Sequence, residues 1–138
     1  MPGRFEPWAH FQALALRERL ALITCLTPRT ELAELSPPYA AAVAGGALPC
    51  AWLHLPICNF GVPDDPIAFR NGVAQIAAAL GQGQAVLLHC AAGIGRTGTT
   101  AACVLKALGL DSWQALQRVR DAGSNPENAA QSGLVDWF

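Results

Sequence analysis

Charge is scarce in this sequence: only 14% of its 138 residues are Asp, Glu, Lys or Arg, and nine basic side chains against ten acidic leave a net charge of −1. So balanced a chain offers neither the electrostatic footprint of a nucleic-acid binder nor a basic patch for an anionic membrane. Long apolar runs are missing too. None approaches the length of a spanning helix, and the opening Met1-Pro2-Gly3-Arg4-Phe5-Glu6 lacks the apolar core of a signal peptide, so a soluble cytoplasmic protein is expected. Paired zinc spacings are absent as well. Cys25, Cys50, Cys58, Cys90 and Cys103 are an odd set that fits reduced thiols better than a disulfide framework, and no metal site is expected. There is no internal repeat, low-complexity tract or linker. With 52% hydrophobic residues the chain has enough apolar material for one core, and residues 1–138 read as a single domain.

What is present is an alternation of strands and helices. Leu20–Leu26 reads as a buried strand, Thr30–Leu35 as a short helix after Pro28, and 39–44 as one or two further helical turns. Ala51–Pro56 reads as a second strand ended by proline. A helix is expected from about Ile67 to Leu80 with Ile67, Val73, Ile76, Ala77 and Leu80 inward, stopped by Gly81-Gln82-Gly83. The strand Ala85–Leu88 is followed by helices over Gly98–Leu108 and, capped by Asp111 or Ser112, through Val119. A last helix beginning near Pro126 is expected to carry Leu134, Val135, Trp137 and Phe138 into the core. The pattern implies an α/β fold with a central, mostly parallel sheet of four to five strands and helices on both faces. Ligands of such folds bind at the carboxyl ends of central strands.

At one such end stands His89-Cys90-Ala91-Ala92-Gly93-Ile94-Gly95-Arg96-Thr97. Gly93, Gly95 and Gly98 let the chain curl so that successive N–H groups of residues 91–96 point inward, and the following helix aims its positive end at the same spot. A phosphoryl group fits there: Arg96 can hold two of its oxygens with a planar fork while the amides of Ala91, Ala92, Gly93, Ile94, Gly95 and Arg96 take the others. The same positive field favours the thiolate of Cys90, the form that attacks phosphorus. Thr97 can donate its hydroxyl to the sulfur, and His89 reads as an orienting residue bonded to backbone rather than a general base.

The string His89-Cys90-x-x-Gly93-x-x-Arg96-Thr97 resembles the signature loop of cysteine-dependent protein tyrosine and dual-specificity phosphatases. The resemblance implies hydrolysis of phosphotyrosine, and of phosphoserine or phosphothreonine as a further option, through a cysteinyl-phosphate intermediate. It implies a phosphorylated protein as partner, no cofactor and a monomer. Lysines that related lipid and inositol phosphatases place in the loop are here Ala91, Ala92 and Ile94, which favours a single phosphate. His54, Phe60 and Tyr39 are candidates for the pocket wall or for packing.

The chain departs from the family at the general acid. Leu55–Asp65 is similar to the acid loop of small phosphatases akin to kinase-associated phosphatase, yet the acid position is Asn59, which can donate a hydrogen bond but has no proton to give up. Three readings compete: an Asp-to-Asn substitution that traps substrate, an enzyme that uses Asp64 or Asp65 instead, or a slow enzyme. Asp64 and Asp65 can equally serve as caps before Pro66. Cys58, beside this loop, is a candidate to cap an oxidised Cys90 as a disulfide. Downstream, Val119–Gln131 is similar to the segment in which Gln131, and with it Asn128, faces the pocket and helps place the hydrolytic water; the same stretch reads equally as a polar cap and exposed face of the last helix. Two other classes remain, a phosphoprotein-binding module without turnover and a sulfur-transfer or arsenate-reducing enzyme.

Overall fold

A computed structural model describes residues 1–138. In chain order the elements are α1 (Trp8–Arg17), β1 (Leu20–Cys25), α2 (Arg29–Leu35), α3 (Pro37–Ala44), β2 (Ala51–His54), α4 (Pro66–Gly81), β3 (Ala85–His89), α5 (Gly95–Ala107), α6 (Ser112–Asp121) and α7 (Ala129–Trp137). The sheet has the order β2-β1-β3 with both pairings parallel. It contains three strands, not the expected four to five. The other apolar stretches, such as Tyr39–Ala44 and Ala101–Ala107, are rich in alanine, which favours helix, and they leave no further run of β-branched residues to extend the ladder.

Alternation along the strands sends side chains to two cores. Leu22, Leu53, Val86 and Leu88 face a cluster formed with α4 to α7, including Phe69, Val73, Ile76, Ala102, Cys103, Val119 and Val135. Ile23, Cys25, Trp52 and Leu87 face the opposite cluster, where Phe11, Ala15, Leu32 and Tyr39 bring in α1 to α3, and an irregularity between Leu20 and Leu22 turns Leu20 to this side as well. Helices therefore cover both faces, as a parallel sheet requires. All five cysteines are free thiols, with Cys25 and Cys103 in these cores. No helix is long and apolar enough to cross a membrane.

Several details differ from the sequence expectation. Helix α1 has no counterpart in it, because Leu14 and Leu16 are exposed and the inward stripe is only Phe11 and Ala15. In α4 the first residue after Pro66, Ile67, is 75% exposed; Phe69, Val73, Ile76 and Ala77 make the inner face, and Leu80 sits at its edge. Trp137 is 67% exposed, with Arg70 over its ring, rather than in the core. Asp65 caps α4 by accepting hydrogen bonds from the amides of Ile67 and Ala68, and Asp111 and Gln114 form a reciprocal capping box on α6.

The carboxyl ends of the three strands lie level, Cys25 pairing with both His54 and His89. Each strand thus releases its following segment at the same rim: α2 after β1, the loop 55–65 after β2, and the glycine-rich loop after β3.

Candidate active site

Those three segments converge on a cavity of about 470 Å³. Cys90 and Ile94 come from the loop after β3, Gly95 and Arg96 from the first turn of α5, Asn59 and Phe60 from the loop after β2, Glu31 and Glu34 from α2, Arg4 from the N-terminal arm and Glu127 from the segment before α7. The structure therefore brings together Cys90, Arg96 and Asn59. It does not bring in Asp64, which lines a separate cavity beside His54 and Phe69.

The loop is shaped by local constraints. Gly93 has φ +81°, a left-handed conformation that a side chain would strain. Its amide donates to the Cys90 sulfur at 3.3 Å. Its carbonyl accepts from the Ser124 hydroxyl, the Asn125 amide donates to the Ile94 carbonyl at 3.3 Å, and Arg4 Nη1 donates to the Ala91 carbonyl at 2.9 Å. With loop carbonyls tied in this way, the loop amides other than that of Gly93 have no partner in the chain and remain free for an anion. Gly98 permits the closeness of this packing, since a Cβ there would lie 2.6 Å from the Asn125 nitrogen.

Arg96 is 3% exposed. Its Nη1 and Nη2 donate to the two carboxylate oxygens of Glu31 at 2.9 and 2.8 Å, and Nη1 donates also to the Ile57 carbonyl at 3.1 Å. A guanidinium has five N–H donors in a fixed fork, so these bonds leave Nε–H and one Nη2–H, adjacent on one edge. That edge suits two oxygens of a tetrahedral anion. Hydrogen bonding to Glu31 also raises the Arg96 pKa, and the residue stays cationic.

Burial pushes the Cys90 thiol up, but the Thr97 hydroxyl, the Gly93 and Thr97 amides and the Arg96 charge together outweigh it, and the thiol lies below its ordinary value. The Thr97 hydroxyl is buried and has no hydrogen-bond partner, which leaves it available to the sulfur. The other core thiols behave oppositely; burial pushes Cys103 up to about 12 and raises Cys25 as well.

His89 sits behind the loop. Trp52 Nε1 can only donate and does so to the Tyr39 oxygen at 3.0 Å, so the Tyr39 O–H is directed to His89 Nε2 at 2.8 Å. This assigns the ring proton to Nδ1, which donates to the Cys90 carbonyl at 3.3 Å. Burial lowers the His89 pKa to about 4, and the ring is neutral near pH 7. Tyr39 is fully buried in this relay and does not line the cavity around Cys90.

Gln131 is fully buried. Its Oε1 accepts from the Glu127 amide at 2.8 Å and its Nε2 donates to the Gly61 carbonyl at 3.1 Å. Asn128 caps α7 through Oδ1 and donates from Nδ2 to the Phe60 carbonyl at 2.8 Å. Both amides thus tie the 59–61 turn, where Phe60 has φ +58°, to α7. Cys58 is exposed beside this turn. Sequence reasoning missed Glu31 and Arg4, which lie 65 and 87 residues from their loop partners and carry no local signal. No group of three or more His, Cys, Asp or Glu is placed to hold a metal ion.

A thiol favoured as thiolate, an inward cradle of amides and a buried arginine fork at the carboxyl ends of a parallel sheet define a phosphatase-type α/β domain. Comparison agrees. The family model of the Swiss Army Knife protein, DSP-PTPase phosphatase domain (PTP-SAK), matches residues 8–133, and the chain belongs to this dual-specificity phosphatase family. Among solved structures it is similar to kinase associated phosphatase (KAP), at 21% identity over 98% of this chain and 80% of that one with a TM-score of 0.82. The active form of Tk-PTP is 25% identical over 99% and 86% of the two chains with a TM-score of 0.78. PTPMT1 in complex with PI(5)P is 20% identical over 94% and 83%, TM-score 0.75. The first and last of these likenesses are of fold alone. No curated protein sequence matches the chain.

Proposed function

We propose that the chain is a protein phosphatase that hydrolyses phosphotyrosine, with phosphoserine and phosphothreonine as further substrates, through a cysteinyl-phosphate intermediate. The observation that carries this reading is the pairing of a lowered Cys90 thiol with an Arg96 fork whose free edge is fixed by Glu31. Cys90 attacks phosphorus while Arg96 and the loop amides bind the equatorial oxygens; Thr97 then stabilises the sulfur as it leaves during hydrolysis. His89, neutral and bonded on both ring nitrogens, orients the Cys90 backbone and moves no proton.

A single phosphate is the better fit. The cavity wall has two cations, Arg4 and Arg96, against the carboxylates of Glu31, Glu34 and Glu127, so a polyphosphorylated ligand meets no surplus of positive charge. A second reading, a phosphoprotein-binding module, is favoured by Asn59, which leaves the loop after β2 without a proton donor. Turnover of an aryl phosphate by the chain, by Cys90→Ser and by Asn59→Asp separates the two. The enzyme reading predicts turnover that is lost in Cys90→Ser and raised in Asn59→Asp; tight phosphopeptide binding with neither burst nor turnover supports the binding module instead.

A further inference from the structure

The acid that the loop after β2 lacks has a counterpart on another wall of the same cavity. Glu127 lines it together with Cys90, Asn59 and Gly95. Its carboxylate rests against the Cα of Gly95, the first residue of α5, so closely that a methyl group at that position would overlap it. With glycine at position 95, nothing stands between this carboxylate and the start of α5. The backbone that presents it is pinned, because the Glu127 amide donates to buried Gln131 and the next residue, Asn128, caps α7 and holds the Phe60 carbonyl. The remaining acids are committed or elsewhere. Glu31 is gripped by both Nη atoms of Arg96, Asp65 caps α4, and Asp64 lines another cavity. Of the two unpaired carboxylates of the wall, Glu34 and Glu127, it is Glu127 that rests against the loop.

We propose that Glu127 is the general acid and base of this site, in place of the loop position occupied by Asn59. The proposal rests on the phosphomonoesterase reading above. In the first step the Cys90 sulfur forms a bond to phosphorus, the ester P–O bond breaks, and the departing oxygen takes the proton of the Glu127 carboxyl. In the second, water attacks phosphorus, its proton passes to the Glu127 carboxylate, and the S–P bond breaks to leave thiolate and inorganic phosphate. Asn59 then serves as a hydrogen-bond donor to the substrate.

The test compares two esters whose leaving groups differ in basicity, a nitrophenyl phosphate and phosphotyrosine peptide, the latter leaving as a phenol of pKa about 10. Glu127→Gln is conservative and exposed. It is expected to lower kcat/KM for the phosphotyrosine peptide by about a hundred-fold while changing the nitrophenyl ester little, and to remove the basic limb of the pH profile. The groups that share the cavity and shape that profile are Arg4, Glu31, Glu34, Cys90 and Arg96. Equal activity of Glu127→Gln and the parent on both esters, or the selective loss appearing in Glu34→Gln instead, overturns the proposal while Cys90-dependent turnover keeps the phosphatase reading intact. A parent chain that turns over neither ester overturns both.

Discussion

Replacing Glu31 by glutamine removes one charge from a pair whose other member, Arg96, has a side chain only 4% exposed. The Glu31 side chain is 24% exposed, so water screens its end of the pair in part, and the Ile57 carbonyl still accepts from Nη1. Breaking a buried ion pair by removing one partner costs about 3–5 kcal/mol, and the partial exposure places this case near the lower end, about 3 kcal/mol. With an unfolding entropy of roughly 2 cal/mol/K per residue over 138 residues, that loss lowers the melting temperature by about 10 °C. Differential scanning calorimetry of the parent and Glu31→Gln measures it. Added inorganic phosphate should restore more stability to the variant than to the parent, since it supplies an anion to the uncompensated guanidinium. A fall of less than about 2 °C, which corresponds to under about 0.6 kcal/mol, would refute the claim that Glu31 fixes Arg96.

Three further outcomes are expected. His89 is neutral when folded, with a pKa lowered to about 4 against about 6.5 unfolded, so the unfolded chain takes up the extra proton and stability falls as pH drops through this window; about 2 kcal/mol is lost between pH 7 and 5. Urea midpoints at the two pH values check this, and a His89→Gln variant should show a shallower slope. Thr97→Val removes the first of the interactions that hold the Cys90 thiol down, so the pH midpoint of Cys90 alkylation, followed by peptide mass, should move upward; an unchanged midpoint contradicts the assignment. Gly98→Ala places a methyl group 2.6 Å from the Asn125 backbone, which cannot rotate away, and should cost about 1–3 kcal/mol by chemical denaturation.

The core of the site is legible in the sequence because one short segment writes it. Cys90, the glycines and Arg96 are fixed by local spacing, and strand β3 and helix α5 follow from the apolar runs on either side. The start of α4 was equally readable, since Asp65 and Pro66 are a cap and a first-turn residue. What the sequence hides is what tertiary structure assembles. Glu31 looks like any acid in a short helix until it meets Arg96, and Glu127 looks like an exposed helix-start acid until Gly95 is seen beneath it. Helix α1 is hidden for a different reason: its leucines face solvent, so the buried stripe of Phe11 and Ala15 is too narrow to announce a period. Gln131 and Asn128 read from the sequence as residues that place the hydrolytic water; in the fold their amides hydrogen-bond to the carbonyls of the 59–61 turn.

The most direct test of the account is rapid quenching of the chain during turnover of an aryl phosphate, followed by mass analysis of the peptide that contains Cys90. The account predicts one phosphoryl group on Cys90, formed in a burst with the released phenol and absent from Cys90→Ser. Steady turnover with no phosphoryl group on Cys90, or turnover that survives Cys90→Ser, would contradict it.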